Sequence, residues 1–334
     1  MGFTERAPIE AGFADIFIKD LAPDLDTIEK DRAALLATAR KHAAIPLVVA
    51  GLLGLWALVA ADDWQGRIVG LVVPVAFGGA IAFWLWSRQA GRWGGRLSET
   101  VMPVICRFLG QLDHDKDARK RFPLDRVQGL GLIGNFTESH LEDRVEGRYR
   151  DTPFEMVEAR LRRRTSAGGD DNRSETKTVF KGLLMRIGVP EPVSSDIFIT
   201  RELGGLGNKL GEMFSFSTGR NMPRVEFDHP GFEAAFAVYA EDPDAARRIM
   251  PPDFLDTLLA IAEAEGGDKG ARAMRAGFQD DAFYIALERH ADFLKLGSLT
   301  RPVRDIEAEL HAVFDDLALI RRIIDRLHGD TPTV

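Results

Sequence analysis

The chain has 334 residues, 45% of them hydrophobic and 28% charged, with a mean hydropathy of -0.11. Those figures fit a globular protein long enough for two modest domains, and they exclude a disordered chain, a collagen-like repeat and a disulfide-stapled miniprotein. With 51 acidic residues against 43 Lys plus Arg the net charge is -8, so a whole-protein footprint for nucleic acid is missing, and the single cysteine, Cys106, can close no internal disulfide.

Before residue 43, Leu21, Leu25, Ile28 and Leu35 recur at helical spacing, so Asp20 to His42 is expected to form an amphipathic helix with Pro23 in its first turn. From Ala43 to Ala61, and again from Ile68 to Trp86, the chain runs 19 residues without a charged side chain. At ~1.5 Å per residue each run covers about 28 Å as a helix, close to the ~30 Å hydrocarbon thickness of a bilayer. The mixed-charge first 42 residues do not fit a signal peptide.

Only Asp62 to Arg67 separate the two runs, which forces an antiparallel helical hairpin with both flanks on one side. Arg40, Lys41, Arg88, Arg92 and Arg96 flank the outer ends, whereas the connection holds Asp62, Asp63 and Arg67. The positive-inside rule then places both termini in the cytoplasm. Trp64, Trp84, Trp86 and Trp93 fall where aromatic rings prefer headgroups, while Trp56 lies nearer mid-span. Ala76 with Ala80 and Gly78 with Ala82 permit close helix contact, inside the hairpin or between copies. The spans hold no ionisable side chain, which argues for an anchor and against a pump or channel.

After the second span, Leu97, Val101, Val104, Ile105, Phe108 and Leu112 form another helical stripe, expected to pack with the first amphipathic helix as a stalk and to kink at Gly91, Gly94 and Gly95. Asp113 to Phe122 is charge-dense and suits a solvated helix end or linker. Beyond it the periodicity shortens. Strands are expected from Val127 to Asn135, Phe154 to Thr165, Lys177 to Ile187, Asp196 to Arg201, Arg224 to Asp228 and Phe232 to Tyr239, with Ser166 to Ser174 as a hairpin connection. Asp242-Pro243 opens a helix to Ile249, Asp253 caps a second, residues 272–288 form a hairpin, and Val303 to Leu327 is a long amphipathic helix.

The pattern predicts an α+β protein: an N-terminal transmembrane hairpin with amphipathic flanking helices, then a mainly antiparallel sheet domain with a long C-terminal helix. The expected layout is a cytoplasmic segment over 1–42, the hairpin over 43–86, a juxtamembrane helix and linker over 87–121, and the sheet domain over 122–330.

The segments Gly147 to Phe154, Val179 to Leu184, Phe232 to Leu259 and Phe283 to Leu287 resemble the bacterial domain-of-unknown-function family 3137. The resemblance implies a two-helix membrane hairpin with a cytoplasmic α+β region, and it supplies no catalytic residues.

Gly204 to Glu212 (GGLGNKLGE) lacks the spacing of a phosphate loop. The histidines at 42, 114, 140, 229, 290, 311 and 328 form no metal-ligand motif, so no cofactor and no metal is expected. Cys106 suits a packed small hydrophobe or a juxtamembrane acylation site. Arg160, Arg162, Arg163 and Arg164 are the candidate contact residues, either for an anionic lipid surface or partner, or as a solvated strand that protects a sheet edge. Alternation puts Arg162 and Arg164 on one face and Arg163 on the other. The leading expectation is a membrane-anchored interaction or scaffolding protein that binds a protein partner or the inner leaflet, self-associates through its small-residue faces and takes no nucleic acid; the alternative is a membrane-tethered enzyme.

Overall fold

The computed structural model describes residues 2–61, 63–110, 112–118, 121–166, 174–201, 222–265, 273–290 and 292–328. The chain divides into two compact units: Met1–Phe108 with Lys295–Val313, and Leu109–Leu294 with Phe314–Val334.

The first unit is built on two helices, α1 (Phe13–Ala60) and α2 (Trp64–Leu109). Helix α1 contains one π turn at Phe17–Leu21. The apolar runs impose the helices, because a backbone without polar side chains around it satisfies its N–H and C=O groups most cheaply within its own turns. Small residues set the spacing of the pair. A Cβ added at Gly78 would meet Ala50 Cβ and, at 2.8 Å, the carbonyl of Pro46; one at Gly70 would meet Ala57, and one at Gly54 would lie 2.9 Å from Leu71. These contacts run antiparallel, so Gly78 and Ala82 are spent inside the hairpin, while Ala76 and Ala80 face outward.

Beyond the apolar runs the helices continue without a break. Gly91, Gly94 and Gly95, where a kink was expected, lie inside the unbroken helix to Leu109. A helical glycine costs about 1 kcal/mol, less than the hydrogen bonds and packing that flank it. Leu97, Val101 and Ile105 are buried as expected, Cys106 is buried beside them, and the rings of Phe13 and Phe108 lie 5.1 Å apart. The remainder of this unit wraps the same region. Arg32 donates to the carbonyl of Leu299 at 2.7 Å and to Glu29, which in turn accepts from the amide of Val303 at 2.8 Å. Trp93, expected among headgroups, is 1% exposed: Gly297 lies close enough that a Cβ there would fall 2.8 Å from its indole nitrogen.

Among the described residues the second unit holds an antiparallel sheet of nine strands in the order β1-β2-β3-β4-β9-β8-β5-β7-β6. The strands are β1 (Leu112–Asp115), β2 (Glu138–Tyr149), β3 (Thr152–Ser166), β4 (Ser174–Gly188), β5 (Ile197–Arg201), β6 (Arg224–Val225), β7 (Phe236–Ala240), β8 (Met274–Gln279) and β9 (Ala282–Glu288). Alternation assigns Val157, Ala159 and Leu161 of β3 to one core with Phe180, Leu184, Phe198 and Tyr239, closed by the segment from Ala118 to Ile133. The opposite face buries Met156, Met185, Ile285 and Phe278, and α6 (Pro252–Glu265) adds Phe254, whose ring is 5.3 Å from that of Phe283. Helix α7 (Glu307–Leu327) buries Phe314, Leu317, Ile320 and Ile324, the stripe expected of it.

Four local expectations are corrected. Leu112 to Asp115 are strand rather than helix and linker, because Lys116 donates to Asp143 at 2.7 and 2.9 Å and His114 lies 3.1 Å from the same carboxylate, which ties this polar segment to the bulge of β2. Residues from Val127 fold as α3 (Leu124–Gly129), whose Val127 and Leu130, three apart, meet the core on one helical side. Residues 230–235 form α4 (Pro230–Ala235), with Pro230 in its first turn and His229 Nδ1 accepting from the amide of Phe232. Asp253 sits within the first turn of α6, which begins at Pro252, rather than capping it. By contrast Asp242 caps α5 (Pro243–Ile249) as expected, accepting from the amides of Asp244 and Ala245 at 3.0 Å.

Candidate interaction surface

Two surfaces differ from the rest of the molecule. The first is apolar. From Ile45 to Trp84, side chains such as Trp56 (69% exposed) and Phe77 (70%) point away from the protein, and only 11% of the most apolar window of each helix is buried. A core helix of a water-soluble domain would be mostly buried over the same window. Among the described residues of the second unit no large apolar side chain is exposed.

The second surface is basic, and it lies on the ribbon made by the far ends of β3 and β4. Strand β2 accompanies β3 only to the pair Glu138↔Arg162; beyond it β3 pairs with β4 alone through Arg163↔Lys177, Arg164↔Thr176 and Thr165↔Glu175. Thr137 fastens the departure point, its amide donating to the carbonyl of Arg162 at 2.8 Å and its hydroxyl accepting from the amide of Arg164 at 2.9 Å. The irregular register between Leu161 and Arg162 takes its extra residue, Val179, from β4, so β3 keeps its alternation. Arg160, Arg162 and Arg164 therefore share one face, with Glu138 opposite Arg162. Arg163 lies on the other face, with Lys177 directly across from it.

All four arginines and Lys177 are exposed, and none makes an ion pair among the described residues. Strand β2 covers β3 as far as Arg162, so Arg160 and Arg162 lie inside the sheet, whereas Arg163 and Arg164 stand on the two-stranded ribbon beyond it. The sequence placed the four arginines but missed Lys177. The hairpin pairing Ser166↔Ser174 would have found it, since counting back from that pair sets lysine against arginine.

Several other charges of the second unit are paired. Arg144 donates to Glu155 and to Glu146, and Arg289 donates to Asp316 at 2.7 Å. A shallow cleft of about 60 Å³ lies among His140, Glu142, Glu158 and Arg160, where His140 is hydrogen-bonded to Glu142. Burial pushes the Glu158 carboxyl above the usual range, against the amide of Phe293, and the charges of Asp292 and Asp143 add to the rise. A wider cleft of about 290 Å³ is lined by Arg126, Glu155, Arg186, Asp280, Asp281 and Tyr284, but Arg126 is already paired with Asp280 and Arg186 with Asp281. No group of three or more His, Cys, Asp or Glu among the described residues is placed to hold a metal. The run Gly204 to Glu212 lies outside the described residues.

Glu10 is a buried acid of the first unit. Burial alone would raise its carboxyl, but the hydrogen bond with His311 at 2.6 Å and the amides of Arg6 and Ala7 override it and hold it below the usual range. Phe3 stacks on His311, with ring centroids 4.7 Å apart, so the N-terminal residues are strapped to the start of α7 within this unit.

Residues 178–328 match the family model DUF3137, whose description is a protein of unknown function. Three of the four segments that resembled this family lie inside the match, and Gly147 to Phe154 precedes it. No curated protein matches the chain. A solved structure, the crystal structure of the mycobacterial trehalose monomycolate transport factor A, TtfA, aligns with 62% of this chain and 88% of its own at 12% identity and a TM-score of 0.27, a likeness too slight to carry fold or role across.

Proposed function

We propose that this DUF3137 chain is a membrane-anchored interaction protein. The apolar stretches of α1 and α2 span the bilayer as a hairpin, and the sheet unit is a water-facing docking domain. One observation carries the reading: the exposed large apolar side chains are confined to Ile18 and the stretch from Ile45 to Trp84, and the sheet unit exposes none among its described residues. An apolar patch of that extent is incompatible with water and fits hydrocarbon. Arg40, Lys41, Arg88, Arg92 and Arg96 beside the spans orient both termini toward the cytoplasm of a bacterial inner membrane.

An interaction role is favoured over catalysis because, in the clefts described above, Arg126 and Arg186 are already paired with Asp280 and Asp281, and His140 with Glu142. Alkaline carbonate extraction of membranes carrying the full chain tests the anchor. The chain is expected to remain in the pellet and to be released only by detergent; release by carbonate alone would contradict the proposal.

A further inference from the structure

We propose that the ribbon of β3 and β4 docks onto the anionic phosphate headgroups of the bilayer, with Arg160, Arg162 and Arg164 as the primary contacts and Arg163 with Lys177 as a second pair. This rests on the anchored reading above and names the surface that the sheet unit engages.

The starting point is an imbalance of charge. In a chain of net charge -8, five cations stand on adjacent strands without an ion pair among the described residues, although Arg32, Arg144 and Arg289 each have a carboxylate partner. Like charges directly opposite each other, as Arg163 and Lys177 are, destabilise a sheet. That repulsion is relieved when an anion binds. The carboxylates of the same ribbon region among the described residues are Glu138 opposite Arg162, Glu175 opposite Thr165, and Glu142 and Glu158 opposite each other beside Arg160. Three arginines at two-residue steps form a row with about 7 Å between neighbours. Guanidinium groups spaced along a row suit a surface dense in phosphates, each fork donating to two phosphate oxygens.

The chemistry of the ribbon separates this surface from its rivals. The described side chains at its far end, from Arg162 to Thr165 and from Glu175 to Thr178, include no aromatic ring on which a nucleobase would stack. Binding of a protein partner normally centres on a desolvated apolar or aromatic anchor, and the sheet unit exposes none among its described residues. A lipid surface needs neither. A hairpin in the same bilayer also makes the contact intramolecular, at an effective concentration on the order of mM.

The test uses the full-length chain in lipid nanodiscs. Cys106 is buried, so a cysteine introduced by Thr176→Cys takes a donor dye selectively, and an acceptor dye is carried on a trace of headgroup-labelled lipid. Energy transfer is expected to be greater in discs containing phosphatidylglycerol than in discs of phosphatidylcholine alone, and to fall to the neutral level in ~1 M salt, where the screening length is about 3 Å. The variant R160Q/R162Q/R164Q is expected to lower the docked-to-undocked ratio by on the order of a hundredfold, about fivefold per arginine. R160K/R162K/R164K, which keeps the charge, is expected to retain most of the transfer and shows that the strands tolerate replacement. Equal transfer in neutral and anionic discs overturns the proposal. So does equal transfer combined with salt-sensitive capture of an acidic polypeptide through these arginines, which assigns the ribbon to a protein partner. Failure of the chain to enter discs at all overturns the anchored reading, and this one with it.

Discussion

In the unit built on α1 and α2, the side chains from Ile45 to Trp84 turn outward and the contacts between helices are made by Gly54, Gly70, Gly78, Ala50 and Ala57. In the sheet unit the order is inverted: Phe, Leu, Ile and Met fill both faces of the sheet, and the buried charges, such as Arg144 with Glu155, are paired. The difference follows from the solvent each surface is suited to. Where hydrocarbon surrounds a helix pair, burying a leucine gains little, so small residues that let backbones approach are favoured at the contact. Where water surrounds a sheet, burying the leucine is the main source of stability.

The comparison is sharpest where both units carry a glycine. In β4, Gly182 has φ 153°, and a Cβ there would run into the carbonyl of Leu287 and lie 2.8 Å from the amide of Arg289. Gly182→Ala is therefore expected to part β4 from β9 and cost about 3 kcal/mol or more, read as loss of the folded sheet unit by near-ultraviolet circular dichroism. Gly79→Ala, with nothing within 4 Å, is expected to change nothing measurable in the same assay.

A charge removed from the sheet interior comes next. Arg144→Ala leaves the buried Glu155 without its main partner and is expected to destabilise by about 3 kcal/mol in denaturant titration, with Glu155→Gln costing less. Truncating a leucine should then distinguish the two surroundings directly. Leu184→Ala, in the core and 0% exposed, is expected to cost roughly 2–5 kcal/mol, whereas Leu52→Ala, 63% exposed on α1, is expected to cost under about 0.5 kcal/mol. Equal costs would erase the distinction between the units.

Acid gives the smallest effect but opposite signs. Glu10, in the first unit, has its carboxyl held low, so the stability it adds is fully present above the ordinary carboxylate range and is lost as pH falls through its lowered value. Glu158 and Asp316, in the sheet unit, are both raised by burial, so their ionisation costs stability above their raised values and that cost disappears as pH falls through them. Hydrogen-exchange protection of residues 3–14 is expected to weaken from pH ~5 toward ~3 and to lose this dependence in Glu10→Gln. Protection of the amides of Phe293 and Leu294, which donate to Glu158 and Asp316, is expected not to weaken over the interval in which those carboxylates first take up protons.

Much of this was legible in the sequence because the determining signals were local. Two charge-free runs of 19 residues dictate the hairpin, and alternation along Phe154 to Thr165 and Lys177 to Ile187 dictates β3 and β4. The failures share a different cause. Trp93 is covered by Gly297, about two hundred residues away in the chain, so nothing near it distinguishes a core tryptophan from one at a membrane surface. Leu112 to Asp115 become strand through Asp143, which holds Lys116 and His114. The candidate site was half visible: four arginines stood in the sequence, but the interior position of β3 and the pairing of Arg163 with Lys177 depend on sheet order and register, which no single segment encodes.

The proposal that hydrocarbon surrounds the apolar stretches of α1 and α2, and water the sheet unit, is tested most directly by quenching of single tryptophans in bilayers with brominated acyl chains. In a full-length variant retaining only Trp56, emission is expected to be strongly quenched by the brominated lipid and insensitive to aqueous iodide, while a variant retaining only Trp93 responds to neither. Iodide quenching of Trp56 with no effect of the brominated lipid would contradict the account.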